Sequence, residues 1–268
     1  MPAPCWIRTA VTKGDLSRNI TVEAAGPTGT TVTYTVTVSD DVDPSPTWSC
    51  TPASGATFPV ADTTVTCNAT DDRGNSQTAT FHVVVQDQTA PVLTLPSVLP
   101  KEATDELTSV NWGAGLAATD LVDGVCAWNP SYATYCSGSG TVTGTCVVSC
   151  DDASGSLYPV GTRTVHCCAK DTHQNKSTGQ FNVTVQDTTG PVVTPPSAPA
   201  PVAQSGACTT VIFNDTATAD DLVDGIWTFT CTPASGSCFP VASTYIDCST
   251  DDSHGNSSGP AGFNVVVY

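Results

Sequence analysis

The sequence predicts an all-β chain of three tandem β-sandwich repeats, on three observations. With 20 Pro and 21 Gly among 268 residues, short strands broken by tight turns are favoured over long helices. Apolar residues alternate with Thr through stretches such as residues 31–38, the period of a half-buried antiparallel strand. One block of sequence then recurs three times.

The block reads Cys50-Thr-Pro-Ala-Ser-Gly-Ala-Thr-Phe-Pro-Val60, then Cys150-Asp-Asp-Ala-Ser-Gly-Ser-Leu-Tyr-Pro-Val160, then Cys231-Thr-Pro-Ala-Ser-Gly-Ser-Cys-Phe-Pro-Val241. A second cysteine follows each leading one at the same spacing, at Cys67, Cys167 and Cys248. An Asp and an Asn come next at constant offsets: Asp71 and Asn75, Asp171 and Asn175, Asp252 and Asn256. Each copy closes on a strand led by Phe81, Phe181 or Phe263.

Alternation assigns faces. Residues 31–38 read as one strand sending Val32, Tyr34, Val36 and Val38 to the core. Val65, Cys67 and Ala69 point inward with Asn68 outward, and Asn182 faces solvent between Phe181 and Val183. Residues 71–75 form a hairpin loop whose Gly and Asn accept the left-handed backbone conformation. About seven short strands per repeat indicate a sandwich with Greek-key links.

Residues 19–30, the Cys-led block, the Asp-X-X-Gly-Asn turn and the junction Gln186-Asp-Thr-Thr-Gly-Pro191 together resemble the HYR (hyalin repeat) domain. The resemblance covers about residues 19–268. It implies an immunoglobulin-like fold found in extracellular adhesion, matrix and cell-surface proteins, with no family-wide catalytic residues. The expected repeats are 19–88, 89–188 and 189–268, the second carrying a cysteine-rich insertion between Asp123 and Cys150. Residues 1–18 match nothing and are a candidate inter-subunit strand.

The chain has 13 cysteines, which points to an oxidising, extracellular or cell-surface setting. Equal spacing in three copies demands one shared geometry, so Cys50 should pair with Cys67, Cys150 with Cys167 and Cys231 with Cys248. Cys208 with Cys238 would staple the third repeat. Cys126, Cys136, Cys146 and Cys168 allow two local bridges whose pairing the spacing leaves open. Cys5 is left over, for a neighbouring molecule, a missing part of a longer precursor, or a free thiol. A secretory leader is not visible after Met1.

The formal charge of -17 repels phosphate backbones and anionic lipid, so no nucleic acid partner is expected. No apolar run approaches the roughly 20 residues a spanning helix needs. Sequons at Asn19, Asn68, Asn175, Asn182, Asn214 and Asn256 are candidates for N-linked glycans.

Aspartates recur at i and i+3 as Asp40 and Asp43, Asp120 and Asp123, Asp221 and Asp224. They read either as turn residues capping their own backbone or as oxygen donors to calcium, with Asp87 and Asp187 as further candidates. No other cofactor is expected. His82, His166, His173 and His254 accompany no nucleophile, zinc-protease or phosphate-binding motif, so no enzyme is expected. Two functions remain: a glycosylated surface, matrix or filament component that self-associates, or a carbohydrate- or protein-binding module of a larger cell-surface receptor. The second would use Trp112, Trp128 and Tyr132 as an aromatic platform.

Overall fold

Thr- and Val-rich segments have little helix propensity and pack well on pleated surfaces, and in a computed structural model the regular elements among the described residues are strands apart from one short helical turn, Ala133–Ser137. It describes residues 6–8, as backbone, and 19–268. Cys5 lies outside them. The described residues divide into two units: those up to 95, with 115–151 and 166–180, form the first, and residues 96–114, 152–165 and 181–268 the second.

In the first unit, Asp62–Thr70 lies antiparallel between Thr47–Thr51 and Ser76–Gln86. Ile20–Glu23 joins the far side of Ser76–Gln86 in parallel. Along Asp62–Thr70, Val65, Cys67 and Ala69 are buried and Asn68 is exposed. Phe58, Val65, Val83 and Val85 fill the core around Tyr34, whose ring meets Phe81 edge-on at 5.0 Å.

Residues 31–38 are not one strand. Thr30–Thr31 pairs with Thr57–Phe58, whereas Thr37–Ser39 pairs antiparallel with Trp6–Arg8. Between them Ser54 takes over, its Oγ accepting from Tyr34 N at 2.8 Å and donating to Tyr34 O at 2.7 Å. Val32, Tyr34 and Val36 stay buried. Alternation reports which side chains are buried and is blind to where the ladder bonds go, so a segment that changes partners midway reads as continuous.

The insertion of the second repeat also belongs to the first unit. Val147–Cys150 pairs antiparallel with residues 167–170, and Ala127–Trp128 adds in parallel. Its three cysteines and Cys168, on the strand Gly161–Lys170, are joined as Cys126–Cys146 and Cys136–Cys168. Cys126, Cys146, Val148, Ala118 and Ala169 form a small core there.

In the second unit, Thr216–Asp221 runs between Val192–Thr194 and Gly225–Thr230, and Ala242–Asp247 pairs with Gly262–Val267. Phe239, Ile246 and Val265 are buried, with Phe213 edge-on to Phe263 at 5.4 Å. Trp112 is buried, packs edge-on against Phe181 at 5.0 Å, and donates its indole N–H to the Tyr158 hydroxyl. That takes Trp112 out of the aromatic platform: it is core, its ring packed edge-on to Phe181 and its N–H partnered as a buried indole requires. Trp128 is about half exposed.

The repeat cysteines are bonded as Cys50–Cys67, Cys150–Cys167 and Cys231–Cys248, with Cα atoms 4.0, 4.0 and 4.4 Å apart. In the first two pairs the residues face one another across neighbouring strands of one sheet. Cys208 is bonded to Cys238.

Candidate functional site

Each repeat presents two turns built from aspartates. In the first turn the leading Asp caps the backbone: Asp40 Oδ1 accepts from Val42 N and Asp43 N at 2.9 and 2.7 Å. Asp120 does the same for Val122 and Asp123, and Asp221 for Val223 and Asp224. The second Asp reaches to the other turn. Asp43 accepts from Asp72 N, Asp123 from the amide and hydroxyl of Thr172, and Asp224 from the amide and hydroxyl of Ser253. The Ser253 bonds hold the Asp224 carboxyl below the usual range.

The second turn is the Asp-X-X-X-Asn hairpin. Asp171 Oδ1 accepts from Asn175 N at 2.8 Å and its Oδ2 from Asn175 Nδ2 at 2.7 Å; Asp71 with Asn75 and Asp252 with Asn256 repeat both bonds. The Asn75 side chain draws the Asp71 carboxyl down. For Asp252, desolvation acts upward, but the Asn256 and His254 bonds outweigh it and hold the carboxyl low. The residue before each Asn has positive φ: Gly74 at 81°, Gly255 at 87°, and in the second repeat Gln174 at 76°.

Asp87 and Asp187 enter from the junctions. Asp87 lies with Asp120 and Asp171, one oxygen of each within 4.8 Å of the others; Asp187, Asp221 and Asp252 repeat the cluster. The same limit holds for Asp87, Asp123 and His173, and for Asp187, Asp224 and His254. His173 Nδ1 is 3.1 Å from Asp87 Oδ2 and His254 Nδ1 is 3.4 Å from Asp187 Oδ2. Burial pushes the Asp87 carboxyl up, and the negative charges of Asp120 and Asp171 add to the shift. These are the residues that could hold a metal ion. The i, i+3 pairs supply part of each cluster; Asp171, Asp252, His173 and His254 were missed, although the Asp recurs in all three repeats (Asp71, Asp171, Asp252) and the His in the last two, Arg73 standing in its place in the first.

A glutamate fastens two of the junctions. Glu23 accepts from Gln88 N and Thr89 Oγ1, and Glu102 from Thr188 N and Thr188 Oγ1. These bonds lower both carboxyls. The second Nδ2 hydrogen of Asn175 goes to Asp87 O at 3.0 Å, and that of Asn256 to Asp187 O at 3.2 Å.

Fold and site thus define a class, that of tandem immunoglobulin-like β-sandwiches, disulfide-stapled, with acidic turns at their junctions. Among the described residues no helix is long and apolar enough to cross a membrane. The HYR domain family profile matches residues 12–85, 86–185 and 186–267; the chain belongs to the HYR domain family and is an extracellular or cell-surface protein. It is 30% identical over 260 residues to "Hyalin" of Strongylocentrotus purpuratus, covering 96% of this chain and 20% of that protein. Against "Hyalin" of Lytechinus variegatus it is also 30% identical, covering 89% of this chain and 42% of that protein. The chain therefore spans less than half the length of either relative. Among solved structures, mouse cadherin-23 EC22-24 is matched over 99% of both chains at 13% identity, with a TM-score of 0.34.

Proposed function

We propose that this chain is a structural and adhesive segment of a glycosylated matrix or surface protein, and that it associates with other copies of itself. The observation that carries the reading is the tandem disulfide-stapled array, similar along nearly its whole length to hyalin. Apolar side chains left in solvent at matching places support association. Leu121 and Val125 in the second repeat, and Leu222 and Ile226 in the third, flank the acidic turns and are each at least 60% exposed. Ile226 lies on Gly225–Thr230, the outer strand of its three-stranded ladder, and an apolar edge is a surface for pairing with another chain. Light scattering of native, non-reduced protein over a concentration series should show growing mass, and Ile226→Lys should reduce it. A strict monomer at every concentration would refute self-association.

Hydrogen bonding at the Asn side chains supports a sorting of the sequons. A glycan replaces one hydrogen of the Asn Nδ2, and Asn175 and Asn256 already donate from that nitrogen to two acceptors each. Asn68, Asn182 and Asn214 are exposed and use only Oδ1, accepting from Thr78, Thr164 and Thr216. Asn19 is exposed as well. Peptide mapping of protein from a secreting eukaryotic host should find sugar at Asn19, Asn68, Asn182 and Asn214, with Asn175 and Asn256 bare. Full occupancy of the last two would contradict this sorting.

A further inference from the structure

The geometry points to two divalent-cation sites of calcium type, one built from Asp87, Asp120, Asp123 and Asp171 and the other from Asp187, Asp221, Asp224 and Asp252. Acidic residues gather on many surfaces without an ion, but three of the four in each site are buried, Asp123 and Asp224 lying at the rim: Asp87, Asp120 and Asp171 are 6%, 8% and 0% exposed. Counting hydrogen bonds isolates what is missing. Both oxygens of Asp171 are satisfied by Asn175, and Asp120 Oδ1 by its own turn. Asp120 Oδ2 and Asp87 Oδ2 are buried and accept no hydrogen bond, and Asp187 Oδ2 repeats this in the second cluster.

A buried anionic oxygen with no donor is costly, and several within 4.8 Å of one another repel as well. The cationic groups paired with Asp87 and Asp187 are His173 and His254, which carry charge only when protonated. A bound cation would answer both the orphaned oxygens and the repulsion. The donors are carboxylates, which suit hard ions. Calcium accepts irregular sets of six to eight oxygens, with water completing them, whereas magnesium demands near-octahedral order. In the first repeat Asp40 Oδ2 is likewise buried without a hydrogen bond, but among the described residues the ligand clusters form only around Asp87 and Asp187, and these two clusters set the expectation of two ions.

The ligands span a junction. Asp87 directly follows Ser76–Gln86 of the first repeat, while Asp120, Asp123 and Asp171 sit in turns of the second. A cation there ties the connecting segment to the next repeat's turns. The inference rests on side-chain geometry and stands apart from self-association.

Calorimetric titration of CaCl2 into the full disulfide-bonded chain, stripped with chelator, should show two equivalents binding, in or below the range of about 10⁻⁴–10⁻³ M of extracellular modules. Melting temperature should rise with calcium concentration, and amide exchange should slow at residues 87–90 and 187–190. Asp120→Asn and Asp221→Asn keep Oδ1 for the turn and remove one charged oxygen. Each should abolish one equivalent, and the double variant both, without lowering the melting temperature in chelator. No saturable binding and no thermal shift up to about 10 mM calcium, tenfold above that range, would overturn the proposal. So would undiminished binding by the double variant, or binding of zinc but not calcium.

Discussion

Phe58→Ala should destabilise the first unit by about 3–5 kcal/mol, the range for truncating a fully buried Phe. Phe58 has no exposed surface and lies among Val32, Tyr34, Val65, Phe81 and Val83. The loss has two parts: the ring's transfer from water and the cavity left behind. The cavity cannot easily collapse, because the Phe58 backbone pairs with Thr30 and Tyr34 is tied down through the Pro52 carbonyl and the Ser54 hydroxyl. In a unit of about 150 residues each kcal/mol moves the melting temperature by about 2–4 °C, so calorimetry should show the first unit's transition falling by about 6 °C or more. A fall under about 2 °C, equivalent to no more than about 1 kcal/mol, would mean that the Phe-Pro-Val block does not anchor the core.

Removing the Cys150–Cys167 bond with a double substitution to alanine should cost about 3 kcal/mol, the chain-entropy value for a loop near this length. The pair lies directly opposite within one sheet, on strands already held by their ladder. The bond therefore contributes by restricting the unfolded chain and adds little to the native pairing. Denaturant unfolding should accordingly show a lower midpoint, with native-state amide exchange along Val147–Cys150 changed far less than global stability. If that strand instead frays in the native state, the bond is holding the sheet together and the entropic account is wrong.

Much of the framework was readable without coordinates because it repeats. The alternation in Asp62–Thr70, the 71–75 hairpin and the equal cysteine spacing all express local rules, a period of two and a loop of constant length. Where the rule ceased to be local, reading failed in identifiable ways. Residues 31–38 keep their alternation while changing strand partners, and spacing alone left Trp112 open between core packing and an aromatic platform, whereas its ring packs on Phe181, far along the chain.

The three repeats and their shared cysteine spacing were thus determined by sequence alone, since each is a pattern of neighbours along the chain and burial follows from periodicity. Tertiary structure decided how Cys126, Cys136, Cys146 and Cys168 pair, which sequon nitrogens are already engaged, and which aspartates meet. Asp87 and Asp171 are 84 positions apart (171 − 87), and they converge because the hairpin turn folds back over the junction and Asn175 bonds to both. Spacing along a chain carries no record of such a meeting. It is set by how the strands between them pair.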